Sequence, residues 1–310
     1  MKILVTGALG HIGSSLIRKL PEKIENLKEI VMIDNLSSQR FSSLFNLPSG
    51  VKYTFIEGDI RTLELDSIVD SVNYVIHLAA ITDAAGSFGN SEEVEFNNYD
   101  CTENIANTCL KNNIKLITLS STSVYGTQAE VVTEDCSLDE LNPQSPYATT
   151  KLREENLIQD LYKDGLQAVC FRFGTIYGHS IGMRFHTAVN KFCWQAAFGK
   201  PITVWSSAYD QKRPYLDLND AIESFVHVIE KNLFNGEVYN VLTENLTVRN
   251  VTDAITKFIP ELEIEFVDSE IMNQLSYDVS NLKFIDTGFI FKGNIHESIK
   301  KTIETLPINK

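Results

Sequence analysis

Positive charge is scarce in this chain: 27 lysines and arginines face 41 aspartates and glutamates over 310 residues, a formal net charge of −14. Surfaces that bind nucleic acid are basic, so nucleic acid is not an expected partner. An anionic ligand would need a pocket of positive charge set into an acidic surface. Long apolar runs are also missing. None approaches the roughly 18–20 residues that cross a bilayer. The opening residues Met1 to Val5 lead straight into a glycine-punctuated turn and offer no cleavable hydrophobic segment. No membrane partner is expected, and the expected location is the cytoplasm. The five cysteines (Cys101, Cys109, Cys136, Cys170 and Cys193) are odd in number and scattered, with no Cys-x-x-Cys spacing. Reduced thiols are expected, not disulfides or a zinc site. His11, His77, His179, His186, His227 and His296 show neither His-x-His nor His-Glu-x-x-His spacing, so no metal is expected. His77, near a strand end, reads as a packed residue. Linkers rich in proline, glycine or serine, internal repeats and low-complexity tracts are absent too.

What is present is ordinary for a globular enzyme-sized chain, with 43% hydrophobic and 22% charged residues. It is long enough for one large domain, or for a nucleotide-binding domain with a smaller companion. β-Branched apolar runs at Lys2–Thr6, Glu29–Asp34, Tyr53–Glu57, Tyr74–Leu78, Lys115–Ser120 and Ala168–Phe173 predict strands. Their near-continuous hydrophobicity suits a parallel sheet covered on both faces. Helical patterns near 11–20, 91–111 and 146–163 alternate with them, which predicts a doubly wound α/β sheet. Beyond about residue 178 the alternation breaks down. Helices are predicted near 183–198, 217–231, 248–258 and 294–305, with short strands at Ile202–Trp205, Glu237–Val241 and Glu263–Val267. The expected division is a nucleotide-binding domain over 1–178 and a smaller, mainly substrate-binding lobe over 179–310. Segments near 217–242 are expected to return to the first domain.

The first strand runs into Thr6-Gly7-Ala8-Leu9-Gly10-His11-Ile12-Gly13, and a helix follows at once. Glycines in that place allow a tight turn, close approach of the backbone to a pyrophosphate, and helix–strand packing. Any tight turn can use glycine, so it is the position, after strand one and opening helix one, that makes this a Rossmann-type phosphate loop. The second strand ends in Asp34, about 20 residues further on, where a carboxylate accepts from ribose hydroxyls and repels a 2′-phosphate. That favours NAD over NADP. An Asx turn through Asp34-Asn35-Leu36-Ser37 is compatible with the same role. Asp59, after the third strand, is placed to meet an adenine amino group or to cap a helix.

Ser145-Pro146-Tyr147-Ala148-Thr149-Thr150-Lys151 reads as a helix start, with Ser145 as cap and Pro146 in the first turn. Tyr147 and Lys151 lie one turn apart on one face. A tyrosine titrating near ~10 is a poor base at neutral pH. An adjacent ammonium stabilises the phenolate. Ser121, in the run Ser120-Ser121-Thr122-Ser123, offers a hydroxyl at the carboxyl edge of the sheet.

Taken together, Thr6-Gly7-x-x-Gly10-x-x-Gly13, Asp34, Gly58-Asp59, His77-Leu78-Ala79-Ala80, Asn98-x-x-x-Thr102-x-Asn104, the serine-rich strand end and Tyr147-x-x-x-Lys151 resemble the extended short-chain dehydrogenase/reductases. The closest likeness is to the nucleotide-sugar epimerase/dehydratase group. The resemblance implies Ser121, Tyr147 and Lys151 as the catalytic set. It implies a cofactor site lined by Gly7, Gly10, His11, Ile12, Gly13, Asp34, Asn35, Ser37, Asp59, Ile60, Leu78, Ala79, Ala80 and Asn98, together with Tyr147 and Lys151. The substrate residues it implies are Ser121, Thr122, Thr175, Arg184 and Arg213, and the expected assembly is a homodimer.

Three departures narrow the function. The group's 4,6-dehydratases carry acids where this chain has Thr122 and Ser123, and hydroxyls are poor acids for expelling a leaving group at neutral pH. Thr175 stands where many relatives have an asparagine. Arg213 matches a diphosphate-binding arginine, but no second one is evident around Gln274-Leu275-Ser276-Tyr277-Asp278, and Arg184 is the candidate to compensate. The leading expectation is an NAD-dependent nucleotide-sugar epimerase acting at C4 through a transient keto-sugar. A C4 dehydrogenase or 4-keto reductase comes next, and a non-enzymatic NAD-binding regulator last.

Overall fold

The computed structural model describes residues 1–82, 88–126, 131–137, 141–268 and 276–307. Gln274 and Leu275, read above for a second diphosphate arginine, lie outside the described residues. In chain order the strands are β1 (Lys2–Thr6), β2 (Glu29–Asp34), β3 (Lys52–Glu57), β4 (Tyr74–His77), β5 (Lys115–Ser121), β6 (Val131–Val132) and β7 (Ala168–Phe173). They continue as β8 (Thr175–Tyr177), β9 (Ile202–Trp205), β10 (Lys212–Asp217), β11 (Val238–Val241), β12 (Glu244–Thr247), β13 (Ile264–Val267) and β14 (Asp278–Val279). The helices are α1 (His11–Lys23), α2 (Leu65–Ile68), α3 (Ser91–Asn112), α4 (Pro146–Lys163), α5 (Ala188–Ala197), α6 (Leu218–Lys231), α7 (Val248–Thr256), α8 (Leu282–Ile285) and α9 (Ile295–Glu304).

A parallel sheet of seven strands, in the order β3-β2-β1-β4-β5-β7-β11, forms the centre. Successive side chains of a strand point to opposite faces. Ile3, Val5, Ile30 and Met32 therefore pack on one face, and Leu4, Val31 and Ile33 on the other. Leu16 and Ile17 of α1 and Ile222 and Phe225 of α6 cover the first face. Ile105 and Cys109 of α3 and Ile158 of α4 cover the second. This is the doubly wound fold that the hydrophobic continuity predicts. Strand order reverses between β1 and β4, which opens a crevice at the carboxyl ends of those strands.

A separate cluster, including Tyr177, Val189, Phe192, Val251, Ile255 and Ile299, joins α5, α7 and α9 to the smaller sheets. Those sheets are β8-β10-β12 and the pair β9-β13. The helix expected over 183–198 begins only at Ala188. Upstream, Gly182 presses on the phosphate loop so closely that a Cβ there would lie 2.4 Å from the Leu9 carbonyl oxygen, and its N–H donates to Ser14 Oγ at 2.9 Å. That docking holds 182–187 out of the helix and leaves Arg184 in a loop. Among the described residues no helix is long and apolar enough to cross a membrane.

Candidate active site

The loop after β1 is drawn tight by backbone. Gly7 has φ +62°, and a Cβ there would stand 2.7 Å from the Ala79 nitrogen. A Cβ on Gly13 would stand 2.5 Å from the Gly7 oxygen. The Gly7 carbonyl accepts from the Gly10 N–H at 3.1 Å. Helix α1 then starts with Gly10 at its cap and no capping side chain. Among the described residues its first N–H groups have no side-chain acceptor, and His11, Ile12 and Gly13 lie on the wall of a cleft of about 840 Å³. Uncapped N–H groups behind a glycine turn suit a pyrophosphate, and the volume suits a dinucleotide together with a substrate.

Asp34, Asn35 and Ser37 line the same cleft. The Asp34 carboxylate accepts from the Leu9 N–H and from the Leu36 N–H, both at 3.0 Å. The second contact is the Asx turn, so the turn coexists with a carboxylate at the cleft wall. Asp59 and Ile60 also line the wall, where Arg61 grips Asp59 at 2.5 Å and holds its pKa below the ordinary aspartate value. Leu78, Ala79 and Ala80 follow β4 along the wall. Thr6 Oγ1 accepts from the Leu78 and Ala79 N–H groups at 3.1 and 3.2 Å. Thr6 Oγ1 also shares a hydrogen bond with His77 Nδ1 at 2.7 Å. Burial and the nearby Lys151 charge lower the His77 pKa to about 3, so it stays neutral. Asn98 departs from expectation. It is fully buried and off the cleft wall, where its amide clamps the Ile81 backbone at 2.7 and 2.9 Å. Its contribution is to hold a wall residue in place.

Helix α4 begins as predicted, with Ser145 Oγ accepting from the Ala148 N–H at 3.2 Å and Pro146 in the first turn. Tyr147 and Lys151 both face the cleft, with the Lys151 ammonium 6.0 Å from the centre of the Tyr147 ring. Ser121 lies on the wall at the end of β5. Its oxygen accepts from Ser123 N–H at 3.2 Å and Ser123 Oγ at 2.9 Å, which leaves its own proton to offer. Thr122 is committed to the Phe173 carbonyl at 3.3 Å. Thr175, Arg184 and Arg213 line the same cleft, joined by Lys191, with Arg184 near His11 of the phosphate loop. Arg184 donates to Thr82, while Arg213 makes no ion pair among the described residues. A chain carrying −14 thus concentrates cations where an anion would lie.

The cleft therefore brings together every predicted site residue except Asn98. Sequence reasoning missed Arg40, which lies beside Asp34, and Trp205 and Tyr277 on the wall, as well as Glu154 behind Lys151. Arg40 sits in a polar loop with no periodicity to flag it. Trp205 closes a predicted strand whose partner in space, β13, cannot be read from the chain. Among the described residues no cluster of His, Cys, Asp and Glu could hold a metal ion.

A model of the NAD dependent epimerase/dehydratase family matches residues 3–241. The chain belongs to this family. An uncharacterised UDP-glucose epimerase of Bacillus subtilis is 32% identical over 78% of the chain and 76% of its own length. A trifunctional UDP-glucose 4,6-dehydratase, 3,5-epimerase and reductase of Arabidopsis thaliana is 30% identical over 97% of the chain, which spans 46% of that protein. Among solved structures, a tyrosine-to-phenylalanine mutant of the UDP-glucuronic acid 4-epimerase of Bacillus cereus, in complex with NAD and UDP-4-deoxy-4-fluoro-glucuronic acid, superposes with a TM-score of 0.88. It is 26% identical, with 98% of each chain covered. The UDP-N-acetylglucosamine 4-epimerase of Methanobrevibacter ruminantium gives a TM-score of 0.84 at 25% identity, over 98% of the chain and 99% of its own. The family's members are NAD-dependent enzymes, and its fold is the doubly wound sheet described above.

Proposed function

We propose that the protein is an NAD-dependent C4 epimerase of nucleotide-diphosphate sugars. The observation that carries the reading is one cleft holding an uncapped phosphate loop, a carboxylate at the end of β2, a Tyr147–Lys151 pair and an Arg213 with no ion pair among the described residues. The glycine loop and α1 hold the cofactor pyrophosphate, and Asp34 accepts from its adenosine ribose. Bound NAD supplies a hydride acceptor that can return the hydride. Ser121 orients the C4 oxygen with the proton it has free, and Tyr147 takes the hydroxyl proton as the sugar is oxidised. Rotation of the keto-sugar then presents its other face, and Tyr147 gives the proton back. Elimination of water from the sugar is disfavoured, because the Thr122 hydroxyl is spent on a carbonyl and Ser123 on Ser121. In this reading residues 1–178 and the strand β11 hold the cofactor, and most of 179–310 holds the sugar.

Incubating the protein with a panel of nucleotide sugars, with and without added NAD, and following the products by NMR tests the reading. An epimer formed with no net NADH supports it. Net reduction or oxidation would make the chain a dehydrogenase or 4-keto reductase. Cofactor choice is a second test. Calorimetry on stripped protein should find NAD binding tighter than NADP, and Asp34→Ala should narrow the gap by about 1.5–3 kcal/mol, the worth of a hydrogen bond to a charged group. Equal affinities in the wild type would overturn the assignment. Arg213→Ala should weaken nucleotide-sugar binding by about 1.5–3 kcal/mol, roughly 10- to 100-fold, and leave NAD affinity unchanged. An equal loss of NAD affinity would move Arg213 into the cofactor site.

The same reading includes a homodimer in the cytoplasm. Supporting it are Phe96 on α3 and Tyr162 on α4, both exposed outside the sheet, and five cysteines that form no disulfide. Light scattering and cell fractionation test the two points.

A further inference from the structure

Lys151 does not stand alone behind Tyr147. The residue is 4% exposed, and its ammonium donates to Glu154 Oε2 at 2.9 Å, one turn along the same face of α4. From α3, Thr102 Oγ1 donates to the same oxygen at 2.8 Å. The other carboxylate oxygen, Oε1, is buried without a hydrogen-bond partner among the described residues. A buried carboxylate tied on one oxygen and bare on the other is costly to keep, and the proton transfer set out above makes no use of it.

We propose that Glu154 is a positioning residue of the proton-transfer set: its carboxylate fixes where the Lys151 ammonium sits and sets the pH at which the Tyr147–Lys151 pair gives up its first proton. The inference rests on the functional reading above, which gives Tyr147 a proton to move. The other groups facing the pair are silent near neutrality. From β4, His77 is neutral. From β7, burial pushes the Cys170 thiol up to about 12, and Arg172 is bound to Glu155. From α3, burial pushes Cys101 up to about 12. Burial works most strongly against the Lys151 ammonium, but the Glu154 carboxylate together with the Tyr147 oxygen outweighs it and holds the lysine pKa above its ordinary value, while burial pushes the Glu154 carboxyl up as well.

The direction of control follows. A proton leaves a tyrosine hydroxyl or an ammonium more easily when a neighbouring negative charge is removed. Glu154 therefore holds that proton on.

The test uses the full chain loaded with NAD. Ultraviolet titration of tyrosinate, taken as wild type minus Tyr147→Phe, isolates the Tyr147 step. Burial has moved Tyr125, Tyr177, Tyr215 and Tyr277 upward and out of the way. In Glu154→Gln, referenced to its own Tyr147→Phe partner, the step should fall by about one pH unit, as expected for losing one nearby charge. Glu154→Asp keeps the charge but withdraws it by one methylene, and should lie between the two. If Glu154→Gln does not fold, the Asp variant carries the test alone. An unmoved or rising step in the folded variants overturns the proposal. A change of melting temperature without a titration shift means the carboxylate is only structural, and also overturns it. No sugar is needed, so the two readings fail separately. A shifted titration with no turnover on the panel removes the epimerase, and turnover with an unshifted titration removes the role of Glu154.

Discussion

Tyr147→Phe is expected to lose about 10²–10⁴-fold in turnover on the nucleotide-sugar panel, the usual worth of a positioned general acid–base, and to keep its fold and its NAD affinity. The substitution retains the ring and removes only the oxygen that titrates. Lys151 lies 6.0 Å from that ring, and the uncapped start of α1 is built from other residues. Lys151→Met removes the cation beside the phenolate, so the acid limb of kcat/KM should move to higher pH. This is opposite in sign to the shift expected for Glu154→Gln, and two opposite shifts from neighbouring residues cannot come from general loosening of the helix. Full activity in Tyr147→Phe would remove the ground for an epimerase or a dehydrogenase, and the non-enzymatic regulator would become the leading reading.

How far the fold was legible depends on where each element finds its partners. Strands β1, β2, β4, β5 and β7 are buried on both faces, so each announces itself as an unbroken apolar run. Strand β4 ends one residue earlier than the pattern suggests, at His77, with the Leu78 N–H shared between the Thr6 carbonyl and hydroxyl. Strands β8, β10 and β12 escaped. Strand β10 carries Lys212, Arg213 and Pro214 in its first half. Proline cannot donate to a ladder, and these residues show no alternation. What makes them a strand is pairing with Glu244–Thr247 on one side and Thr175–Tyr177 on the other, a contact between segments distant in the chain.

The site divides in the same way. Gly7, Gly13, Asp34, Tyr147 and Lys151 are legible because each requirement is local: a turn, a strand end, a helix face. Asn98 misled for the opposite reason. It sits on the buried face of α3, and its partner is the Ile81 backbone across the helix–strand interface, which local spacing does not encode. Glu154 and Glu155 were invisible as functional groups. Adjacent charges inside a helix read as a solvated face, and only the tertiary packing of α3 and β7 buries them.

Glu155 has the other large expected effect, on stability. Its carboxylate takes two hydrogen bonds from Arg172 of β7, from Nε at 2.9 Å and Nη2 at 2.7 Å, with both residues 4% exposed. The guanidinium's third arm donates to the Tyr125 hydroxyl at 2.8 Å, which donates in turn to Asn240 of β11 at 2.8 Å. One ion pair thus ties the helix carrying Tyr147 to two strands of the sheet. Replacing a buried pair by apolar groups of similar volume is often neutral, but removing one partner strands an uncompensated charge. Glu155→Gln should therefore cost about 3–5 kcal/mol, seen as a fall in Tm on the order of 10 °C. Glu155→Leu combined with Arg172→Met should recover much of that loss, and a double-mutant cycle measures the coupling. A Tm for Glu155→Gln within a degree or two of wild type would mean that Arg172 finds another anion or water when Glu155 is neutralised. The anchoring of α4 would then have to come from its apolar contacts with the sheet, through Ile158 and its neighbours.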